Sequence, residues 1–247
     1  MTETFINGRT KYNAPPVGLI FKGPQPETRE HPYREHKFST TLELDTHHHH
    51  LLRSDDNQEV LLGLYSVAYW AEYSSHAQSQ HSRNAAAEVS HRRLAPTIAN
   101  MKPAAIARLV KDSVVDLDRR SYSQALITIS KLLHGRLSLC STFLAFIDPE
   151  KVGIFDDRIT AHLANDHASL LEEHTIENAL TRPPTETLKE AAARFAVYCD
   201  LLGKIKSTIN KHAVGWRDSS GCQMARFRTI DVERALLMNS LTNRSVF

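Results

Sequence analysis

Two adjacent carboxylates, Asp156 and Asp157, close the apolar run Val152-Gly153-Ile154-Phe155 and open a helical pattern that continues from Arg158. An acid at such a junction has two chemical uses. It can accept hydrogen bonds from the free N–H groups of the first turn and complement the helix dipole. It can also hold negative charge where a substrate develops positive charge, and orient an attacking water. The apolar run matters to both, because a buried lead fixes the carboxylate in place. Asp157, one position further on, reads as an exposed first-turn residue.

Other residue types with chemical potential lie elsewhere. Tyr65, Tyr69 and Tyr73 recur at i, i+4 and share one helix face, which suits them to wall a pocket, while Trp70 sits about 100° round from Tyr69. Lys204, Lys206 and Lys211 are a basic cluster suited to phosphate contacts, followed by the polar loop Trp216-Arg217-Asp218-Ser219-Ser220. His47 to His50 invite a metal, but no Cys or fixed acid completes a ligand set, so the tract reads as incidental. His76, His81 and His91 are spaced too loosely to ligate together. The chain carries no P-loop, GxGxxG, GxSxG or HExxH pattern.

The elements that must position these groups are mainly helices. Val60 to Tyr73 is apolar almost all round and predicts a buried helix. Helical spacing recurs over 103–116, 122–133, 158–171, 185–207 and 229–241, with Pro183-Pro184 breaking the chain and Thr185 as the expected N-cap. Leu139 to Ile147 is a second all-apolar helix, stopped at Asp148-Pro149. Residues 1–50 are polar and rich in proline in their first 40 positions, and predict a partly extended arm with one short strand over Phe38–Leu44. The expected organisation is that arm followed by one compact helical domain over 51–247.

Composition narrows the class. The 247 residues include 9 Gly and 10 Pro, too few for a many-turned β fold. A net charge of +2 excludes a polycation, yet the charge is uneven: residues 202–247 hold eight Lys/Arg against three Asp/Glu, and residues 164–201 three against seven. Such segregation suits a polyanion-binding face. Cys140, Cys199 and Cys222 form neither a disulfide framework nor a CxxC zinc pair, so a reducing, cytoplasmic setting is expected. No apolar run approaches the length that spans a bilayer, and no secretory leader is evident, so no membrane association is expected.

At Gly135 to Arg158 the chain resembles the helix-hairpin-helix DNA glycosylase superfamily, as a divergent member. In that family a Leu-Pro-Gly-Val-Gly-like hairpin opens an apolar helix, and an apolar-Asp-x-His/Arg-apolar motif follows. Leu133-His134-Gly135-Arg136-Leu137 stands at the hairpin, matching it at Leu133 and Gly135 and lacking its Pro and second Gly. Phe155-Asp156-Asp157-Arg158-Ile159 stands at the Asp motif. The resemblance covers about 35 of the 247 residues.

The resemblance implies a mainly α fold of that glycosylase type, DNA as partner, and base excision in repair or antiviral defence. It makes Asp156 the catalytic carboxylate and puts Gly135 and Arg136 against a phosphate, with Arg158 adding charge. Tyr65, Tyr69, Trp70 and Tyr73 become the wall for a base flipped from the stack. No cofactor or metal is required. Members that also cut the backbone carry a Lys early in the helix after the hairpin; positions 137–142 are Leu-Ser-Leu-Cys-Ser-Thr, with Lys131 and Lys151 outside that window. The expected activity is therefore monofunctional hydrolysis. Two rivals stand beside it: a non-catalytic helical nucleic-acid-binding or phage-defence interaction module, and a metal-dependent enzyme built on the His tract.

Overall fold

The computed structural model describes residues 2–22, 33–75, 94, 100–133, 136–166, 180, 185–212, 215–217, 223–224 and 226–242. It is mainly helical. In chain order these segments form α1 (Thr2–Lys11), β1 (Val17–Phe21), β2 (Tyr33–Lys37), α2 (Thr41–Leu52), α3 (Asn57–Ser75), α4 (Pro103–Asp118), α5 (Tyr122–Leu133), α6 (Leu137–Ile147), α7 (Asp157–Asp166), α8 (Leu188–His212), β3 (Trp216–Arg217), β4 (Gln223–Met224) and α9 (Thr229–Thr242). Among the described residues no helix is long and apolar enough to cross a membrane.

The central element is α6, buried at every position from Leu139 to Ile147. A helix apolar on all sides is stable only when other helices cover it, and α2, α3 and α5 do so. The α5 helix in turn packs on α4 and on α8, and α9 closes the other side against α7 and α8. Cys140 lies inside this core, where burial pushes its thiol up to about 12, so it is a small apolar residue in effect.

The described residues among the first 50 form α1, the β1–β2 pair and most of α2. The α1 helix lies along α9, and Gly8 permits that crossing: a Cβ there would sit 2.6 Å from the Ala235 carbonyl oxygen. The expected strand over 38–44 is instead the last turn before α2 and that helix's start. Thr40 caps α2 by accepting from Glu43 N at 3.1 Å, and the Glu43 carboxylate accepts from Ser39 N at 2.8 Å. This reciprocal cap outweighs a weak alternation of apolar residues. The strands are β1 and β2, antiparallel with Val17 opposite Lys37 and Phe21 opposite Tyr33, laid against α3. The α2 helix runs through residue 50 to Leu52.

Buried charge joins the two chain ends. Arg9 of α1 donates to Asp231 at 2.9 Å and to Thr41 Oγ1 at 3.3 Å. Arg234 grips Asp45 of α2 with two bonds of 2.7 Å, and Arg228 bridges Asp45 and Asp231 at 2.7 and 2.8 Å. The Arg9 guanidinium also lies 3.9 Å from the Trp216 ring. Three guanidiniums thus face two carboxylates in the interior. Burial opposes ionisation of both acids, but Arg228 and Arg234 outweigh it and hold Asp45 and Asp231 below the usual carboxylate range.

Candidate functional site

Asp156 is the residue that the local sequence positions most firmly. The lead into it is pinned on both sides: Phe155 N donates to Ser141 Oγ of α6 at 2.9 Å, and Tyr198 of α8 donates its hydroxyl to the Ile154 carbonyl at 3.0 Å. Val152 and Phe155 are buried. The chain then turns into α7 with Asp156 as the residue before its first turn, its carbonyl accepting from Ile159 N and Thr160 N. Its Oδ1 accepts from Arg158 N at 2.8 Å and from Arg158 Nε at 3.0 Å, and its Oδ2 accepts from Arg158 Nη2 at 2.7 Å. Burial alone would raise this carboxyl's pKa, but the Arg158 bonds outweigh burial and hold it below its ordinary value. The group is ionised, oriented and 25% exposed.

The carboxylate borders a cavity of about 470 Å³, a size that accommodates a small ligand. Leu137 and Ser138 at the start of α6, Phe155, Asp157, Arg158 and Arg194 complete its lining. No side chain caps α6, so its first-turn N–H groups supply partial positive charge at this end of the cavity. Arg194 reaches it from α8 with only 5% of its side chain exposed. Its guanidinium stacks 4.5 Å from the Phe155 ring and binds Glu186 at 2.7 Å and Asp157 at 3.2 Å. Burial lowers its pKa, but these acids outweigh burial and hold it above the ordinary arginine value.

The remaining expected residues are placed elsewhere. Gly135 lies outside the described residues, as do His76, His81, His91, Pro183, Pro184 and Cys222. Arg136 is the exposed residue before α6. None of the four α3 aromatics lines the Asp156 cavity, because α3 is covered on several sides. Trp70 packs edge-on to Phe146 at 5.1 Å in the main core. Tyr69 and Tyr73 pack with Val17 in a separate cluster under the β1–β2 hairpin, and Tyr65 meets Tyr33 at 5.2 Å. The aromatic wall at Asp156 is Phe155. The expected cap Thr185 is replaced by Thr187, which pairs reciprocally with Glu190 at the start of α8.

The His tract is part of the scaffold. His47 donates to the Leu19 carbonyl at 2.9 Å, His48 meets Ser66 Oγ at 2.8 Å, and His49 donates to the Ile147 carbonyl at 2.8 Å. Burial, then the neighbouring His47, pushes His48 down to about 3, so its ring stays neutral. Among the described residues no group of three His, Cys, Asp or Glu is arranged to hold a metal ion.

Compared with family models, with curated proteins and with solved structures, the chain matches none of them. The site therefore stands on its own geometry.

One group near it was not legible in the sequence. Glu233 of α9 is 2% exposed and packs against the lead: a Cβ at Gly153 would lie 3.0 Å from Glu233 Cβ. Its Oε2 has no hydrogen-bond partner among the described residues. Burial raises its pKa to about 8; Arg234 opposes that rise and the negative Asp156 adds to it. Asp156 and Glu233 are thus two coupled carboxyls driven in opposite directions, one ionised and one protonated at neutral pH. Glu233 does not line the cavity, so its direct part is in the charge balance beneath Asp156. Its presence in the helical pattern of α9 gave no sign of this.

Proposed function

We propose that the chain is a monofunctional DNA base-excision glycosylase in which Asp156 is the catalytic carboxylate. The observation that carries this reading is a fixed, ionised and partly exposed carboxylate on the wall of a cavity that Asp157, Arg158, Arg194, Phe155 and an uncapped helix start also line. In the reaction the C1′–N bond breaks with its electron pair leaving on the base, and positive charge develops on the sugar. Asp156 stabilises that charge. A water then adds its oxygen to C1′, and its proton passes to the carboxylate or to the departing base. Phe155 offers an apolar face to a flipped nucleotide, and the two arginines and the α6 start suit its phosphates.

The reading requires Arg158 to yield one carboxylate oxygen. Arg158 is 52% exposed, so its guanidinium can turn out into solvent, and a sugar cation would take its place beside the carboxylate. A second reading is favoured by the same bonds: among the described residues, every hydrogen bond to the Asp156 carboxylate comes from its own helix, as in a cap of a non-catalytic nucleic-acid-binding module.

Asp156→Asn separates them, because Asn caps a helix as well as Asp but lacks the charge. DNA carrying a panel of modified bases is incubated with each protein, and the freed base is measured by mass spectrometry. The expected result is release by the wild type, at least about a hundredfold less by Asp156→Asn, and equal DNA affinity. Borohydride should trap no Lys–DNA adduct. Binding without release by either protein establishes the second reading.

A further inference from the structure

A second concavity, of about 610 Å³, opens between α8, the Asp148–Lys151 turn and the turn joining α4 to α5. Lys204 and Lys211 stand seven residues apart on α8, hence on nearly the same face, with Ser207 and Thr208 between them. Lys206 lines it too, held by the Glu150 carbonyl and 3.7 Å from the Glu150 carboxylate. The structure adds two cations from outside this cluster. Lys151 comes from the turn, where it pairs with Asp148 at 2.9 Å. Arg120 comes from the α4–α5 turn, in a left-handed backbone conformation with φ 59°.

The balance of charge is unequal. Five cations line this groove against two acids, Glu150 and Asp200. The side chains of Arg120, Lys204 and Lys211 are exposed and have no ion-pair or hydrogen-bond partner among the described residues. Such a concentration of unpaired positive charge beside the exposed Ser207 suits anionic oxygens. Its extent suits a chain of them. Lys204 to Lys211 spans about 10 Å along α8, or about three steps of a DNA strand at 3.4 Å each.

We infer that this groove is a track for the phosphodiester backbone of DNA, distinct from the Asp156 cavity and occupied by nucleotides flanking the target. The inference rests on the nucleic-acid part of the proposed function and not on catalysis. The α8 helix links the two places: Arg194 lines the cavity, and Lys204 follows ten residues later, about 15 Å along the axis and on an adjacent face. The groove therefore receives phosphates beginning about four base-pair steps from the flipped nucleotide.

Fluorescence anisotropy of a labelled 20-mer duplex, from 50 to 300 mM NaCl, tests this with the full chain. Arg120→Ala and the double variant Lys204→Ala/Lys211→Ala alter only exposed side chains, and circular dichroism checks their folding. Each lost phosphate contact flattens the log–log salt slope by about 0.9, so the double variant should lose about 1.8 and bind at least about tenfold more weakly at 0.1 M salt. Inorganic tripolyphosphate should displace the duplex only weakly. Unchanged slopes overturn the track, as does a wild type that fails to bind at 50 mM, or tripolyphosphate that competes as strongly as DNA and marks a free-polyphosphate site. Base release with unchanged slopes overturns the track alone; flattened slopes with no base release overturn the glycosylase reading alone.

Discussion

Replacing Glu233 by Gln should stabilise the protein at alkaline pH and leave it nearly unchanged in mild acid. The carboxyl is 2% exposed, and burial raises its pKa from 4.5 to about 8. The folded chain thus keeps a proton that the unfolded chain releases over most of that interval. Where the unfolded state binds fewer protons, stability falls as pH rises. The contribution is complete below 4.5 and is lost as pH passes 8. Each pKa unit corresponds to 1.36 kcal/mol, so the wild type should lose about 5 kcal/mol across the window from this group alone. Gln carries no proton to lose and has nearly the same shape. Urea denaturation at pH 5, 7 and 8.5 should give curves for the two proteins that diverge steadily, with Glu233→Gln ahead by about 3 kcal/mol or more at pH 7. Parallel pH profiles would refute the reasoning, because they would show that Glu233 titrates alike in both states. Asp45 and Asp231 act in the opposite sense. Their lowered pKa values supply stability above the ordinary carboxylate range that is lost as pH falls through the folded values. The wild type is therefore expected to be most stable between the ordinary carboxylate values of 3.8 and 4.5, where neither effect has yet taken hold.

Two further substitutions probe the scaffold that holds the site. Asp45→Asn removes the carboxylate that both Arg228 and Arg234 grip, leaving buried guanidiniums uncompensated, and should cost about 3–5 kcal/mol by urea denaturation. Gly8→Ala should cost about 1–3 kcal/mol in the same assay, because the new methyl meets the Ala235 backbone carbonyl and α1 must move off α9.

What the sequence disclosed divides by the range of the interaction. The helices α4, α5 and α9 were legible because their apolar residues keep a 3.6-residue period and face one core. The all-apolar stretch at 139–147 was legible as a buried helix for the converse reason. The start of α2 was missed because Thr40 and Glu43 form a reciprocal cap, a stronger local signal than the alternation over Phe38–Leu44. The α3 tyrosines share a face by spacing, but spacing does not tell which neighbour covers that face, and it is the β1–β2 hairpin that covers Tyr69 and Tyr73. The ionic cluster was beyond reach, since Arg9 meets Asp231 across 222 positions and Arg234 meets Asp45 across 189. Arg120 and Lys151 join the α8 lysines only because the α4–α5 and 148–151 turns fold to the same side.

The geometry of Asp156 makes capping and catalysis compatible rather than exclusive. The two carboxylate oxygens are used differently. Oδ1 accepts from the Arg158 backbone N–H and from its Nε, which fixes the carboxylate plane against α7. Oδ2 accepts from Nη2 of the same guanidinium, a group half exposed to solvent. The backbone bond cannot leave without unwinding the first turn, while the guanidinium sits on a half-exposed side chain and can rotate away. A substrate cation or a DNA phosphate drawing Arg158 aside would therefore uncover Oδ2 and leave Oδ1 in place. The cap then serves the chemistry: it pre-orients the carboxylate, keeps it ionised, and leaves its second oxygen guarded by a movable positive charge.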